Sequence, residues 1–221
     1  MKVSVSVLSS SIKAIDIVKR LDQSECDYAH IDIMDGKFVE NKTWTFGEVK
    51  DFVKHTHKKL DVHLMVDKPK KYIDDYALLN TDRITFHYEA VEDVLDMIEY
   101  VKNYGLRVGL AINPDTNPEV VFPYLKDLDQ VLVMSVFPGR SGQTFIEESV
   151  NRIKIVKDEI ERLGLSTEVE VDGGLNYENA VKCVNAGVDI LVSATYLHQD
   201  LLNNTHLLKN ITKGVENEWI K

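Results

Sequence analysis

Three short β-branched runs in this sequence end in side chains that can hold a cation or carry a proton. The first reads His30-Ile31-Asp32-Ile33-Met34-Asp35-Gly36 and the second Asp61-Val62-His63-Leu64-Met65. The third is Glu168-Val169-Glu170-Val171-Asp172-Gly173-Gly174. Successive side chains of a strand point to opposite faces. His30, Asp32 and Met34 therefore share one face, Ile31 and Ile33 the other, and the same parity pairs His63 with Met65. If the runs meet at one rim, His30, Asp32, His63 and Asp172 converge as two imidazoles and two carboxylates. Such a set suits Zn²⁺ or another divalent first-row ion. The alternative is a scatter of unrelated capping residues, but a buried Asp32 is costly unless it is paired or metal-bound.

Other polar positions weigh less. His87, ending the run in Phe86-His87-Tyr88-Glu89-Ala90, is either a fifth rim group or a satisfied interior histidine. His55, His57, His198 and His206 lie on helix-like or loop segments and are expected to be solvated. Three glycine-bearing or small-residue turns come late: Pro138–Gln143, Asp172-Gly173-Gly174 and Val192–Thr195. Backbone N–H groups at such turns can hold a phosphate. Neither GxGxxG nor a Walker P-loop is present, so dinucleotide and ATP binding are unsupported. Met34, Met65 and Met134 fall near strand ends, either as core filler or as a polarizable cap over a reactive anion.

These side chains need elements to position them. Eight strand-like runs are legible, at Val3–Leu8, Tyr28–Met34, Leu60–Val66, Arg83–His87, Arg107–Ile112, Gln130–Val136, Glu168–Val171 and Ile190–Ser193. Helix-like periodicity fills the intervals, at Ile12–Leu21, Phe46–His55, Tyr72–Leu79, Val91–Tyr104, Pro118–Leu125, Glu147–Leu163, Glu178–Ala186 and His206–Trp219. Strict alternation implies parallel strands joined by crossover helices, and eight repeats in 221 residues predict a single α/β domain, a (β/α)8 barrel over residues 1–221. The predicted rim is where such barrels build active sites.

The net charge of −10 argues against a nucleic-acid or anionic-membrane partner, while leaving an anionic small molecule open. Cys26 and Cys183 are too few for a disulfide framework or a cysteine-rich zinc site. The N-terminal run turns polar too early for a secretory signal, and no apolar stretch is long enough to span a bilayer. A reduced, cytoplasmic protein is expected.

The sequence resembles the ribulose-phosphate 3-epimerases, including their allulose-6-phosphate 3-epimerase branch. The resemblance rests on VSVSVLSS, HIDIMDGKFVEN, DVHLMV, ITFHYEA, GLAINPDT, VLVMSVFPGRSGQTF and VEVDGGL, spread over nearly the whole chain. It implies a (β/α)8 barrel, one divalent metal ion and a ketose-phosphate substrate that loses and regains a proton at C3. Zn²⁺ is the first expectation, with Fe²⁺, Mn²⁺ or Co²⁺ as alternatives. The resemblance makes His30, Asp32, His63 and Asp172 the metal ligands, and Asp32 and Asp172 the acid/base pair. It places Ser6, His63 and the cap of Met34, Met65 and Met134 against the substrate, and Gly142, Gly173, Gly174, Ala194 and Thr195 near its phosphate. A homo-oligomer is also expected.

The chain departs from the family pattern at Val5, Lys37 and Glu40, in the Gly139-Arg140-Ser141-Gly142-Gln143 loop, and at Ala194-Thr195. Arg140 offers a charge-assisted phosphate contact, whereas the Ala194 methyl crowds one. These changes bear on which sugar phosphate binds and leave both aspartates intact. Ribulose 5-phosphate and xylulose 5-phosphate are the expected pair, with allulose 6-phosphate as the alternative. A metal-dependent aldolase or decarboxylase would want a lysine in the second strand end, and DIMDG has none. A non-catalytic sugar-phosphate-binding regulator would be expected to have lost a ligand.

Overall fold

Alternating side chains decide which face of each strand meets the helices. A computed structural model describes residues 1–214. Among them, β1 (Lys2–Ser6), β2 (Tyr28–Met34), β3 (Lys59–Met65), β4 (Thr81–His87), β5 (Arg107–Ile112), β6 (Gln130–Met134), β7 (Glu168–Asp172) and β8 (Ile190–Ser193) close a parallel barrel in chain order. The strands alternate with α1 (Ala14–Leu21), α2 (Phe46–Val53), α3 (Lys70–Tyr76), α4 (Val94–Lys102), α5 (Ser149–Arg162), α6 (Tyr177–Ala186), α7 (Thr195–Gln199) and α8 (Leu201–Lys209). The architecture is the expected (β/α)8 barrel.

The main core lies between barrel and helices, where Ile31, Ile33, Val62, Leu64, Val131 and Val171 pack against the helical faces. The opposite parity points inward. Toward the mouth on the β5–β6 side the interior is apolar, with Ala111, Leu132, Met134 and Val136 in a cluster of their own. On β1 to β4 and β7 it is polar. Register then aligns the chemistry: Asp32 pairs with His63, Met34 with Met65, Ser6 with His30 and Met134 with Asp172.

Local signals fix the connections. Thr45 and Glu48 form a reciprocal capping box that starts α2 directly after the β2 loop. Thr43 ties that loop to the strand end: its hydroxyl donates to the Asp32 carbonyl at 2.8 Å, and the Met34 N–H donates to it at 3.0 Å.

Two sequence expectations change. Pro118–Asp127 is a 3₁₀ segment rather than an α-helix, because Pro123 lacks the N–H that an α-helical bond would need there. After β8, the helices are Thr195–Gln199 and Leu201–Lys209, earlier than the periodicity at His206–Trp219 suggests; residues 215–219 of that stretch lie outside the described residues. Among the described residues, no helix is long and apolar enough to cross a membrane.

Candidate active site

His30, Asp32, His63 and Asp172 meet at the C-terminal mouth of the barrel, each offering one donor atom within 4.8 Å of the others. His30 Nε2 lies 3.3 Å from Asp32 Oδ1 and 3.7 Å from Asp172 Oδ2. His63 Nδ1 lies 3.1 Å and 3.7 Å from the same two oxygens. The other oxygen of Asp32 accepts from the Ser6 hydroxyl at 2.8 Å.

The tautomer of His30 is set from behind. Its Nδ1–H donates to Asp61 Oδ2 at 2.9 Å, and that same oxygen accepts from the Ser4 hydroxyl at 2.8 Å. His30 Nε2 is buried without a hydrogen-bond partner and faces two carboxylates, a position that a cation among the four donors would satisfy. A carboxylate holding the far nitrogen of a ligand histidine is also what metal sites use to orient an imidazole. The residues fit a divalent ion.

The two carboxyls are driven apart. Burial raises Asp172 and the negative charge of Asp32 raises it further, to about 7. Burial works against Asp32 too, but the charge and proximity of the His30 and His63 imidazoles outweigh it and hold the carboxyl far below its usual range. His30 is raised well above the ordinary imidazole value because the charges of Asp32 and Asp61 overcome its burial. Burial lowers His63.

Above this set opens a cleft of about 250 Å³. Asp32, Asp172, Ser6 and the tips of Met34, Met65 and Met134 form its floor, and all three methionines are almost fully buried. Arg140, Gly142, Gly173, Gly174, Ala194 and Thr195 line the wall beside β6 to β8. Gly174 is obligatory there. It has φ +63°, and a Cβ would lie 2.6 Å from the Phe145 backbone nitrogen. Asn41 of the β2 loop crosses to donate to the Gly139 carbonyl at 2.7 Å.

Several participants escape a reading of strand ends. Asp61, two residues before His63, is fully buried, as are Arg83, Gln130 and Glu170 beneath it. Arg83 donates to Gln130, and Gln130 donates to Glu170. Strand parity contains this signal, since Asp61 and Glu170 share the inward phase of His63 and Asp172. His87 is fully buried and meets His63 directly, at 2.8 Å between their Nε2 atoms. Burial holds the His87 ring down to about 4, and hence neutral at pH 7. His198 is not solvated as expected: its Nε2 donates to the Ser6 carbonyl at 2.9 Å, from a helix too short to be read in advance. His55 and His57 are exposed, and so is His206.

Fold and site together define a barrel enzyme with a donor set that could hold a cation beneath a cleft. The chain belongs to the ribulose-phosphate 3 epimerase family, whose sequence profile matches residues 2–214. It is 38% identical over 200 residues to the ribulose-phosphate 3-epimerase of Chlamydia pneumoniae, covering 89% of this chain and 87% of that one. It is 37% identical over 203 residues to the enzyme of that name from Bacillus subtilis, covering 90% and 94%. Among solved structures, it resembles the thiamine phosphate pyrophosphorylase of Pyrococcus furiosus at a TM-score of 0.62 and 16% identity, over 95% and 94% of the two chains. That likeness concerns the fold alone.

Proposed function

We propose that the protein is a metal-dependent 3-epimerase of a ketose phosphate, interconverting D-ribulose 5-phosphate and D-xylulose 5-phosphate. The observation that carries this reading is the pair of carboxyls, Asp32 and Asp172, brought together with two imidazoles in one four-donor cluster under a cleft. His30, Asp32, His63 and Asp172 would hold one divalent ion, Zn²⁺ first among Zn²⁺, Fe²⁺, Mn²⁺ and Co²⁺. When bound, the ion supplies Lewis-acid stabilisation of the negative charge that develops as a proton leaves the carbon next to a ketone.

The protein's own residues account for the rest. Inversion at C3 needs one group to remove the proton from one face and another to deliver a proton to the opposite face. Asp32 enters the cycle as base and Asp172 as acid, and the roles exchange for the reverse direction. Ser6 orients Asp32 through its 2.8 Å hydrogen bond. Met34, Met65 and Met134 keep water from the planar anion without offering it a proton. Gly142, Gly173, Gly174, Ala194 and Thr195 would take the phosphate on the far wall, with Arg140 at the rim.

The proposal extends to chain 1–221 as one domain, working in the cytoplasm as a homo-oligomer, the assembly being open to light scattering. The test is a substrate panel of ribulose 5-phosphate, xylulose 5-phosphate and allulose 6-phosphate, assayed after reconstitution with Zn²⁺, Mn²⁺ or Fe²⁺. Fast interconversion of the two pentose phosphates is expected. A higher kcat/KM for allulose 6-phosphate would reassign the substrate, and no turnover of any of them would overturn the reading.

A further inference from the structure

His87 and Glu89 form a hydrogen-bond chain behind His63 that the proton transfer described above does not use. The His63 and His87 rings are stacked with centroids 5.0 Å apart, and their Nε2 atoms are separated by 2.8 Å. Two nitrogens at that distance share one proton, so one ring donates and the other accepts. The far end of the chain decides which. His87 Nδ1 lies 3.2 Å from Glu89 Oε2. The other oxygen of Glu89 accepts from the Asn113 N–H at 2.8 Å and from the Thr116 hydroxyl. Glu89 is thus an acceptor throughout, and His87 Nδ1 must carry the proton between them.

His87 has no exposed surface, and Phe38 packs across it with ring centroids 4.7 Å apart. With its proton on Nδ1 facing Glu89, His87 leaves Nε2 to accept, and His63 Nε2 is the donor of the 2.8 Å contact. The loop that grips Glu89 is itself pinned. Arg152 on α5 donates from Nη1 to the Thr116 carbonyl at 2.6 Å and from Nη2 to the Asn113 carbonyl at 2.7 Å.

We propose that Glu89 and His87 are positioning residues for the cation site: the chain Glu89–His87–His63 fixes the proton on His63 Nε2 and presents the His63 Nδ1 lone pair to the donor set of His30, Asp32 and Asp172. The inference rests on the metal reading given under Proposed function. It makes the two ligand histidines alike in principle, each held from behind by a carboxylate, directly through Asp61 in one case and through an intervening imidazole in the other.

The test uses the full chain and Zn²⁺ alone. Zinc affinity is measured by chelator competition for the wild type, Glu89→Ala and Glu89→Gln. Loss of a group that orients a ligand histidine lowers metal affinity by roughly 10–100-fold, and that loss is expected for Glu89→Ala. Glu89→Gln keeps an acceptor oxygen and is expected to fall between the two. In the zinc-loaded wild type, ¹⁵N imidazole spectra should show His87 protonated on Nδ1 and His63 on Nε2, a signature that packing alone does not impose. Protonation of His87 on Nε2, or zinc affinity of Glu89→Ala within twofold of wild type, overturns the proposal. Wild type that binds no zinc overturns the metal reading itself and this inference with it. If Glu89→Ala does not fold, the tautomer of the wild type decides alone.

Discussion

Asp32 and Asp172 approach the same nitrogen, His30 Nε2, at 3.3 and 3.7 Å, yet their carboxyls shift in opposite directions. The difference lies in what else each touches. Asp32 accepts a hydrogen bond from Ser6 and lies against the His30 and His63 imidazoles. Asp172 is buried next to the Asp32 charge, and so favours its proton. Two chemically identical side chains thereby acquire different proton affinities from their surroundings.

Asp61 should matter for stability as well as for orientation. It lies in the fully buried layer with Arg83, whose Nε is 4.0 Å from Asp61 Oδ1, and it accepts from His30 and Ser4. Removing one member of a buried ion pair costs about 3–5 kcal/mol, so Asp61→Ala should lose an amount of that order in chemical denaturation. The double variant Asp61→Leu with Arg83→Met removes both charges and should regain most of the loss, while its zinc affinity stays reduced because His30 remains unoriented. Restored zinc affinity in the double variant would show that Asp61 has no orienting role.

The His87 environment predicts an acid sensitivity. Its pKa is depressed from 6.5 to about 4 by burial, so the unfolded chain binds more protons than the native one between those values. Stability is then fully present above about pH 6.5 and is lost as pH falls through the window toward 4. At about 1.4 kcal/mol per unit, this group alone accounts for roughly 3 kcal/mol. Other groups titrate in the same range, so the readout is a difference: the stability of His87→Gln should depend less steeply on pH between 4 and 6.5 than that of the wild type. Parallel profiles would count against the assignment.

The phosphate wall yields a steric prediction and an electrostatic one. Gly174→Ala places a methyl against the Phe145 backbone at a position with φ +63°, where nothing nearby can yield cheaply. It should lower kcat/KM for a phosphorylated substrate at least tenfold and lower Tm as well. Arg140→Ala, on an exposed residue, should leave Tm unchanged and raise KM more than it lowers kcat, as expected when binding is lost equally from ground and transition states. Equal loss in both parameters would place Arg140 nearer the reacting carbon.

What was legible in the sequence was whatever depends on strand parity. A period of two sends His30, Asp32, His63 and Asp172 inward wherever the strands end, and barrel closure then brings them together. The same parity marks Asp61 and Glu170, but a charged residue one turn of the pleat deeper gives no sign of being paired until Arg83 is seen beneath it. His87 could be placed at the rim but not against His63, because that contact depends on the β3–β4 register, with its irregularity between Leu60 and Asp61. Helix periodicity failed where prolines and short lengths intervene, at Pro118–Asp127 and after Ser193.

The two-base assignment has the sharpest test. Asp32→Asn and Asp172→Asn each remove one proton carrier, and each should lower epimerisation by at least 10²-fold, the scale of general acid–base contributions. Both residues are also proposed ligands, so metal content is measured on each variant before its activity is interpreted. A metal-replete variant is then incubated with each epimer in D₂O. The surviving aspartate faces only one side of C3, so it can exchange the proton of the epimer that presents hydrogen on that side, and not that of the other. The two variants should therefore show opposite preferences: one exchanges ribulose 5-phosphate, the other xylulose 5-phosphate. Equal exchange from both epimers by either metal-replete variant would mean that a single group serves both faces, and the division of labour between Asp32 and Asp172 would fall.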